Sequence, residues 1–175
     1  MKTDKRIHLD FVIDKLTNSI RNTISGDSFA TEVSRLTKAD LKQVTKKNGW
    51  NFKWKQELDN NSREVYKLTI VNNPTIVQGL LSFSIKPDHI YMELVESAPF
   101  NLGRNKLYEG VPGNLVAFAC KVSFQQGFEG FLSFTAKTKL IKHYENTLGA
   151  YHFGNHLMII HTGTAQQLID KYFKS

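Results

Sequence analysis

The chain has 175 residues and a mass of 20.0 kDa, with 41% apolar, 22% charged and 11% aromatic residues, which fits one compact domain. No apolar run approaches the roughly 20 residues that cross a bilayer, and the first thirty residues lack the apolar block of a secretory signal. We therefore expect a soluble cytoplasmic protein without a membrane partner. The single cysteine, Cys120, excludes an internal disulfide framework and a cysteine-rich zinc site.

The formal net charge of +7 is distributed unevenly along the chain. Residues 1–57 hold 12 basic and 7 acidic side chains, whereas residues 58–175 hold 11 and 9. Between Lys38 and Lys55 there are six lysines and a single acid, Asp40. This stretch favours an anionic partner such as a nucleotide cofactor or RNA, and it is equally typical of a solvated lysine-rich face.

Residues 1–28 are predicted to form an amphipathic helical extension that precedes the main domain, residues 29–175. Apolar side chains recur there at three- and four-residue spacing, in a stripe made of Leu9, Val12, Ile13, Leu16 and Ile20. The helix would end near Gly26. We expect the stripe to dock on the core of the protein, with a partner surface as the alternative.

The next segment predicts a strand over residues 29–36 and a helix over residues 37–49 that ends at Gly49. Trp50, Phe52 and Trp54 then alternate with polar residues, so an extended chain would place their rings on one side. Burial is the default for these rings. As the functional alternative, Trp50 and Trp54 would line an acceptor site or stack on nucleic-acid bases.

Three β-rich runs at residues 65–71, 77–85 and 89–95 are separated by short turns and predict an antiparallel meander. Helices and strands then alternate, with strands at residues 128–134 and 156–161 and helices at residues 115–126, 137–148 and 164–173. This order predicts a mixed α/β fold with a mostly antiparallel central sheet and helices on both faces.

A glycine-rich loop joins the meander to the first of these helices. The loop contains Gly103, Gly110 and Gly113, and the helix is predicted to begin near Asn114. Free amides at a helix start suit a phosphate or pyrophosphate, and Arg104 and Lys106 would add positive charge. Glycines also terminate strands, so the loop alone does not distinguish a phosphate-binding site from an ordinary turn.

Residues 143–150 read HYENTLGA and are similar to the LYEKLGF pattern that ends the penultimate helix of GNAT acyltransferases, with one residue inserted. Gly79 in the third strand, the Ser-Ala-Pro at residues 97–99 and the order of elements agree with that pattern. Residues 29–175 thus resemble the GNAT superfamily of acetyl-coenzyme A (acetyl-CoA) dependent N-acyltransferases.

The resemblance implies acetyl-CoA as acyl donor, an amine as acceptor and direct attack without a covalent enzyme intermediate. It makes Tyr144 the general acid that protonates the leaving thiolate, and either Glu93 or Glu96 the base that deprotonates the amine. Alternation places these two carboxylates on opposite faces of the strand unless a bulge intervenes, and we favour Glu93.

The resemblance also implies a binding path for the donor. The residues that would hold the pantetheine arm are Val95, Ser97 and Ala98. Those that would hold the pyrophosphate are Gly110, Val111, Gly113 and Asn114, with Arg104, Lys106 and Lys137 nearby. The loop departs from the usual Gln/Arg-x-x-Gly-x-Gly/Ala pattern, and Lys137 and Leu140 replace the asparagine and alanine that typically precede the tyrosine.

Three functional readings therefore remain open. The chain is an N-acetyltransferase of unknown acceptor, a catalytically degenerate GNAT-fold binding or regulatory module, or a toxin-like acetyltransferase that acts on aminoacyl-tRNA. A homodimer is left open. Cys120 is expected to be a buried structural thiol, and the spacing of His152, His156 and His161 does not favour a metal site.

Overall fold

The computed structural model describes residues 6–17 and 19–173. The predicted N-terminal extension therefore falls partly outside the described residues, at residues 1–5 and at Asn18. Among the described residues, no helix combines the length and apolar character that a membrane crossing requires.

A seven-stranded sheet organises the domain, in the order β3-β4-β5-β6-β8-β10-β9. The strands, in chain order, are β1 (Ile20–Asn22), β2 (Ser28–Phe29), β3 (Thr31–Arg35), β4 (Glu64–Ile70), β5 (Gly79–Ile85), β6 (Ile90–Ser97), β7 (Tyr108–Glu109), β8 (Leu132–Thr135), β9 (Tyr151–Gly154) and β10 (Leu157–Ile160). Strands β1, β2 and β7 form a separate small sheet.

The strands of the large sheet are mostly antiparallel, as predicted. β3, β4, β5 and β6 pair antiparallel in succession, and β8 pairs antiparallel with β10. The exception is the parallel contact between β6 and β8, which is limited to two residue pairs, Ile90↔Leu132 and Tyr91↔Ser133. Beyond these pairs the two strands diverge, and the candidate site lies there.

Helices cover both faces of the sheet, which confirms the predicted fold class. They are α1 (Trp54–Asp59), α2 (Val111–Gln125), α3 (Ile141–Leu148) and α4 (Thr162–Phe173). α2 packs on β5 and β6 and also against α4. On the opposite face, Lys67 of β4 forms a 2.9 Å ion pair with Asp40, which lies in a 3-10 helix, Asp40–Lys42.

The N-terminal segment is not the helix that the apolar spacing predicts. The described residues of this segment, 6–17, contain no helix. Leu9, Phe11 and Ile13 are buried, whereas Asp10 and Val12 between them are exposed. This period of two is that of an extended chain, and it is stabilised by long-range contacts that helix propensity does not include.

The predicted helix over residues 37–49 is also largely wrong, because only the short 3-10 helix forms there. The predicted helix start at Thr37 does form, since the Thr37 amide donates to the Asp40 carboxylate and the Asp40 amide donates to the Thr37 hydroxyl. The same carboxylate forms an ion pair with Lys67. Burial opposes ionisation of Asp40, but the bonds from Lys67 and Thr37 outweigh it and lower the pKa. Gly49 ends the segment with a positive φ of 97°.

Two further sequence predictions need adjustment. Trp54 begins α1 instead of continuing an extended aromatic run, and α2 begins at Val111 rather than near Asn114. Gly110 at the N-cap has a left-handed φ of 94° and Pro112 occupies the first turn, which is where proline is best tolerated in a helix.

Candidate active site

A cleft opens where β6 and β8 part. Val95 and Ser97 lie on β6 beyond the last β6–β8 pair, and both line a cavity of about 530 Å³. Ala98 does not fit its expected role of holding a ligand through its backbone. Its amide donates to the carbonyl of Gln78 at 2.9 Å, and its own carbonyl accepts from the amide of Asn101 at 2.8 Å.

Tyr144 does not line this cavity but contacts Phe11, which does. Helix α3 is capped by Gly149, which has a left-handed φ of 68°. The phenol ring of Tyr144 is fully buried between Phe134 and Phe11, with ring-centroid distances of 5.1 and 4.8 Å. Its hydroxyl donates to the backbone carbonyl of Phe11. Burial raises the pKa of Tyr144, and the Asp10 carboxylate raises it further, so the phenol keeps its proton.

The turn before α2 lies at the end of the cleft away from Phe11. The amide of Gly110 donates to Asp14 Oδ1 at 3.2 Å, and Lys106 Nζ donates to Asp14 Oδ2 at 3.3 Å. Asn114 is 1% exposed and donates to the carbonyls of Gly110 and Ser19. Within the described part of the chain, its Oδ1 atom is buried without a hydrogen-bond partner.

The remaining loop residues differ in their suitability for the pyrophosphate. Val111 is buried in the first turn of α2. A Cβ added at Gly113 would lie 1.8 Å from the hydroxyl oxygen of Tyr172, so this glycine permits packing of α4 rather than ligand approach. Arg104 is exposed, whereas Lys137 Nζ lies 2.8 Å from Asp10 Oδ2.

A β-bulge places both candidate bases on one face of the sheet. The β5–β6 register shifts between Ser82 and Phe83, which pair with Leu94 and Met92 and leave Glu93 without a partner residue on β5. Glu93 and Glu96 consequently both face the side of the sheet that carries α1. Without the bulge, strict alternation would have separated them.

The two carboxylates have different surroundings. Glu96 is buried and accepts 2.7 Å hydrogen bonds from the amide of Asn51 and from Trp54 Nε1. Glu93 is half-buried, accepts from Ser84 Oγ at 2.7 Å and lies 3.5 Å from the guanidinium of Arg63. Glu93 is two residues beyond the last β6–β8 pair and therefore lies where the strands begin to part.

The structure favours burial over the acceptor-site alternative for Trp50 and Trp54. Trp50 is 4% exposed and Trp54 is 1% exposed, so neither ring presents a face to a substrate. The burial occurs because Trp54 begins α1 and turns inward to donate to Glu96. The six lysines between Lys38 and Lys55 are all exposed, which fits both an anionic partner and a solvated lysine-rich face.

Cys120 is fully buried in α2, and burial raises its pKa, which agrees with a structural thiol. The residues that sequence reasoning missed are on the N-terminal segment and next to Tyr144. His143 Nε2 accepts from the amide of Ile13 at 2.8 Å, and Phe11 and Asp14 occupy the two ends of the cleft. The alternation of Leu9, Phe11 and Ile13 was the available signal for an extended segment.

Comparison with solved structures identifies the fold. The spermidine/spermine N-acetyltransferase SpeG of Vibrio cholerae is 13% identical, with a TM-score of 0.57 over 79% of this chain and 96% of that chain. AtaTR bound with acetyl-CoA is 17% identical, with a TM-score of 0.55 over 79% of this chain and 98% of that chain. The ribosomal-protein-S18-alanine N-acetyltransferase of Escherichia coli is 13% identical, with a TM-score of 0.52 over 74% of this chain and 90% of that chain. The chain therefore has the fold of the GNAT N-acetyltransferases. Neither a sequence-family model nor a curated protein sequence matches it.

Proposed function

We propose that the protein is an N-acyltransferase that transfers an acetyl group from acetyl-CoA to an amine. The observation that carries this proposal is the parting of β6 and β8 after Tyr91↔Ser133. The resulting cleft has Phe11, which contacts a protonated phenol, at one end and the amide of Gly110, with the Lys106 ammonium, at the other. A thioester with an anionic tail is a ligand of this shape and charge, and acetyl-CoA complexes exist for structures with this fold.

In the proposed reaction, the amine nitrogen attacks the thioester carbonyl, the C–N bond forms and the C–S bond breaks. Glu93 takes the proton that the amine loses, directly or through a water molecule. Tyr144 gives its proton to the departing sulfur, because a phenol is protonated at neutral pH. The donor tail is held near Gly110 and Lys106, while Glu96 fixes the loop that borders the acceptor side.

Tyr144→Phe tests this assignment with Tyr151→Phe as the control, because Tyr151 is 55% exposed on β9. Titration calorimetry would measure acetyl-CoA affinity, and thiol release in the presence of a panel of amines would measure turnover. Loss of the general acid should lower kcat by about 100-fold without weakening acetyl-CoA binding. The control should match the wild type. Equal turnover in the Tyr144→Phe protein would reject the assigned role.

A second candidate is a non-catalytic module of the same fold. The observation that favours it is the occupation of the cleft by residues 9–17, whose contacts with Tyr144, Lys137 and Gly110 use the groups assigned to the donor. Under this candidate, acetyl-CoA gives no heat and no thermal shift at millimolar concentration, even in a variant whose segment has been released.

The acceptor could also be the amine of an aminoacyl-tRNA, which would make the protein toxin-like. The exposed lysines between Lys38 and Lys55 favour a polyanionic acceptor, and one protein with this fold is described as the AtaT toxin bound to the C-terminus of its antitoxin AtaR. Growth arrest on expression that Tyr144→Phe relieves would support this acceptor. Harmless overexpression would count against it.

A further inference from the structure

The N-terminal segment, defined here as residues 6–17, enters the cleft as an added strand. The amide of Leu9 donates to the carbonyl of Thr135 at 2.6 Å, and the amide of Lys137 donates to the carbonyl of Leu9 at 3.0 Å. These bonds form a parallel bridge between Leu9 and Ala136 at the end of β8. The segment thus occupies the place beside β8 that β6 leaves when the two strands diverge.

The segment next fills the end of the cleft nearest the proposed general acid. The Phe11 ring packs against Phe134 and Tyr144, with centroid distances of 5.7 and 4.8 Å, and the Phe11 carbonyl accepts from the Tyr144 hydroxyl. Two residues further on, the amide of Ile13 donates to His143. The Tyr144 hydroxyl proton, which a leaving thiolate would require, is therefore hydrogen-bonded to the backbone of the segment.

The segment then supplies an anion to the loop before α2. The Asp14 carboxylate accepts from both the Gly110 amide and the Lys106 ammonium, and its side chain is only 11% exposed. An amide at a helix start together with a lysine is the donor set that a phosphate oxygen would use. Thr17 covers the same turn, since a Cβ added at Gly110 would lie 2.1 Å from the Thr17 hydroxyl.

We propose that the N-terminal segment is a built-in competitor of the acyl donor, with Phe11 in place of the thioester end and Asp14 in place of a phosphate. This inference rests on the proposed function, because it names the regulation of the same cleft. The docked segment blocks the donor, so donor binding requires the segment to withdraw. β1 keeps the segment close to the cleft by pairing with β7 directly before Gly110.

Competition makes a quantitative prediction, because the apparent Kd of the donor is its intrinsic Kd divided by the fraction of molecules with an open cleft. Asp14→Ala removes the charged contact with Gly110 and Lys106. It should tighten acetyl-CoA binding by about tenfold, since charge-assisted hydrogen bonds are the strong ones. Asp27→Ala removes the same charge from an exposed turn outside the cleft and should leave the Kd within about twofold of wild type.

Cysteine labelling reports the position of the segment independently of activity. Ile13 is 5% exposed and its neighbour Val12 is 54% exposed, so Ile13→Cys and Val12→Cys form a matched pair. The native Cys120 is buried and does not interfere. N-ethylmaleimide should modify position 13 at least about tenfold more slowly than position 12 without ligand. Saturating acetyl-CoA, which has no free thiol, should remove that difference.

The outcomes separate the inference from the proposed function. Rapid labelling at position 13 without ligand, or acetyl-CoA binding that leaves position 13 protected, would overturn the competition while the acyltransferase proposal stands. If Asp14→Ala exposes position 13 and acetyl-CoA still does not bind, the cleft is open but does not bind the donor. The proposed function is then wrong, and so is the proposed competition. If acetyl-CoA binds neither the wild type nor the Asp14→Ala protein, and position 13 is protected in both, then the Asp14 carboxylate does not hold the segment in the cleft and its proposed role is overturned.

Discussion

Glu93 and Glu96 show how two identical side chains on one strand acquire different surroundings. Both oxygens of Glu96 accept N–H groups, from Asn51, Phe52 and Trp54, so this carboxylate anchors the chain between the 3-10 helix and α1. Glu93 has a hydroxyl and a guanidinium as neighbours and lies beside a small cavity of about 270 Å³. We therefore propose that Glu96 has a structural role and that Glu93 accepts the proton.

This assignment predicts opposite effects of two conservative changes. Glu96→Gln puts an amide NH₂ against N–H donors and should cost about 1–3 kcal/mol of stability, measured by denaturant unfolding. Glu93→Gln keeps an acceptor for Ser84 and should cost under about 1 kcal/mol, while kcat falls by about 100-fold. The reverse pattern, with Glu93 needed for folding and Glu96 for turnover, would exchange the two roles.

At the scale of elements, the packing of α4 on α2 depends on one glycine, Gly113, which has no side chain to obstruct it. Gly113 in α2 lies directly under the Tyr172 hydroxyl, which donates to the carbonyl of Lys15 at 3.4 Å. Burial raises the pKa of Tyr172, and the Asp14 carboxylate raises it further, so the hydroxyl remains a donor. Two helices and the N-terminal segment therefore meet at this glycine.

A pair of glycine substitutions measures that contact. Gly113→Ala forces Tyr172 to move and should destabilise the protein by about 1–3 kcal/mol, which is the usual cost of overpacking. Gly163→Ala in α4 has open space around the new methyl group and should stabilise by up to about 1 kcal/mol through helix propensity. Thermal unfolding would show the difference. Similar melting temperatures for the two variants would contradict the packing described here.

At the scale of the whole molecule, the docked segment should respond to pH through His143. Its Nε2 atom accepts the Ile13 amide, and burial lowers the pKa of His143 below its ordinary value of 6.5. The docked form therefore binds fewer protons than the open form. Docking is strongest above pH 6.5 and weakens as the pH falls below that value, because the open form takes up a proton first.

The change would be measured as the rate of N-ethylmaleimide labelling at position 13 divided by the rate at position 12, between pH 8 and pH 5.5. Because the reagent's own pH dependence affects both rates, it cancels in this ratio. The ratio should rise by about threefold to tenfold on acidification. His143→Gln keeps an acceptor that does not titrate, so its ratio should stay constant over this range. A constant ratio in the protein with His143 would remove this group from the docking equilibrium.

Much of the fold followed from local pattern. The three antiparallel runs, the helix after the glycine loop and the helix that carries Tyr144 were predicted with small errors in their ends, because each has a clear apolar period and turn residues at its limits. Strands β1, β2, β7 and β9 were missed. They are only two to four residues long, which is too short for a period to register.

The positions of Tyr144 on α3 and of Gly110 before α2 were predictable, because each lies in one element with a clear local pattern, and their functional roles stay predictions. The candidate site was not predictable where the face of an element depends on distant residues. Alternation could not place Glu93 and Glu96 together, because a bulge opposite Ser82 and Phe83 decides their direction. The inward position of Trp54 likewise depends on Glu96, more than forty residues away in the chain.

The sequence by itself determined the class of fold, the position of the phenol and the basic character of the surface at residues 38–55. Only the tertiary structure decided what residues 6–17 do. Their apolar residues fit both a helical and an alternating period, so the local pattern did not distinguish the two conformations. The partners that select the extended form, Thr135, Tyr144 and Gly110, are all more than ninety residues away, and the cleft that brings them together exists only in the folded protein.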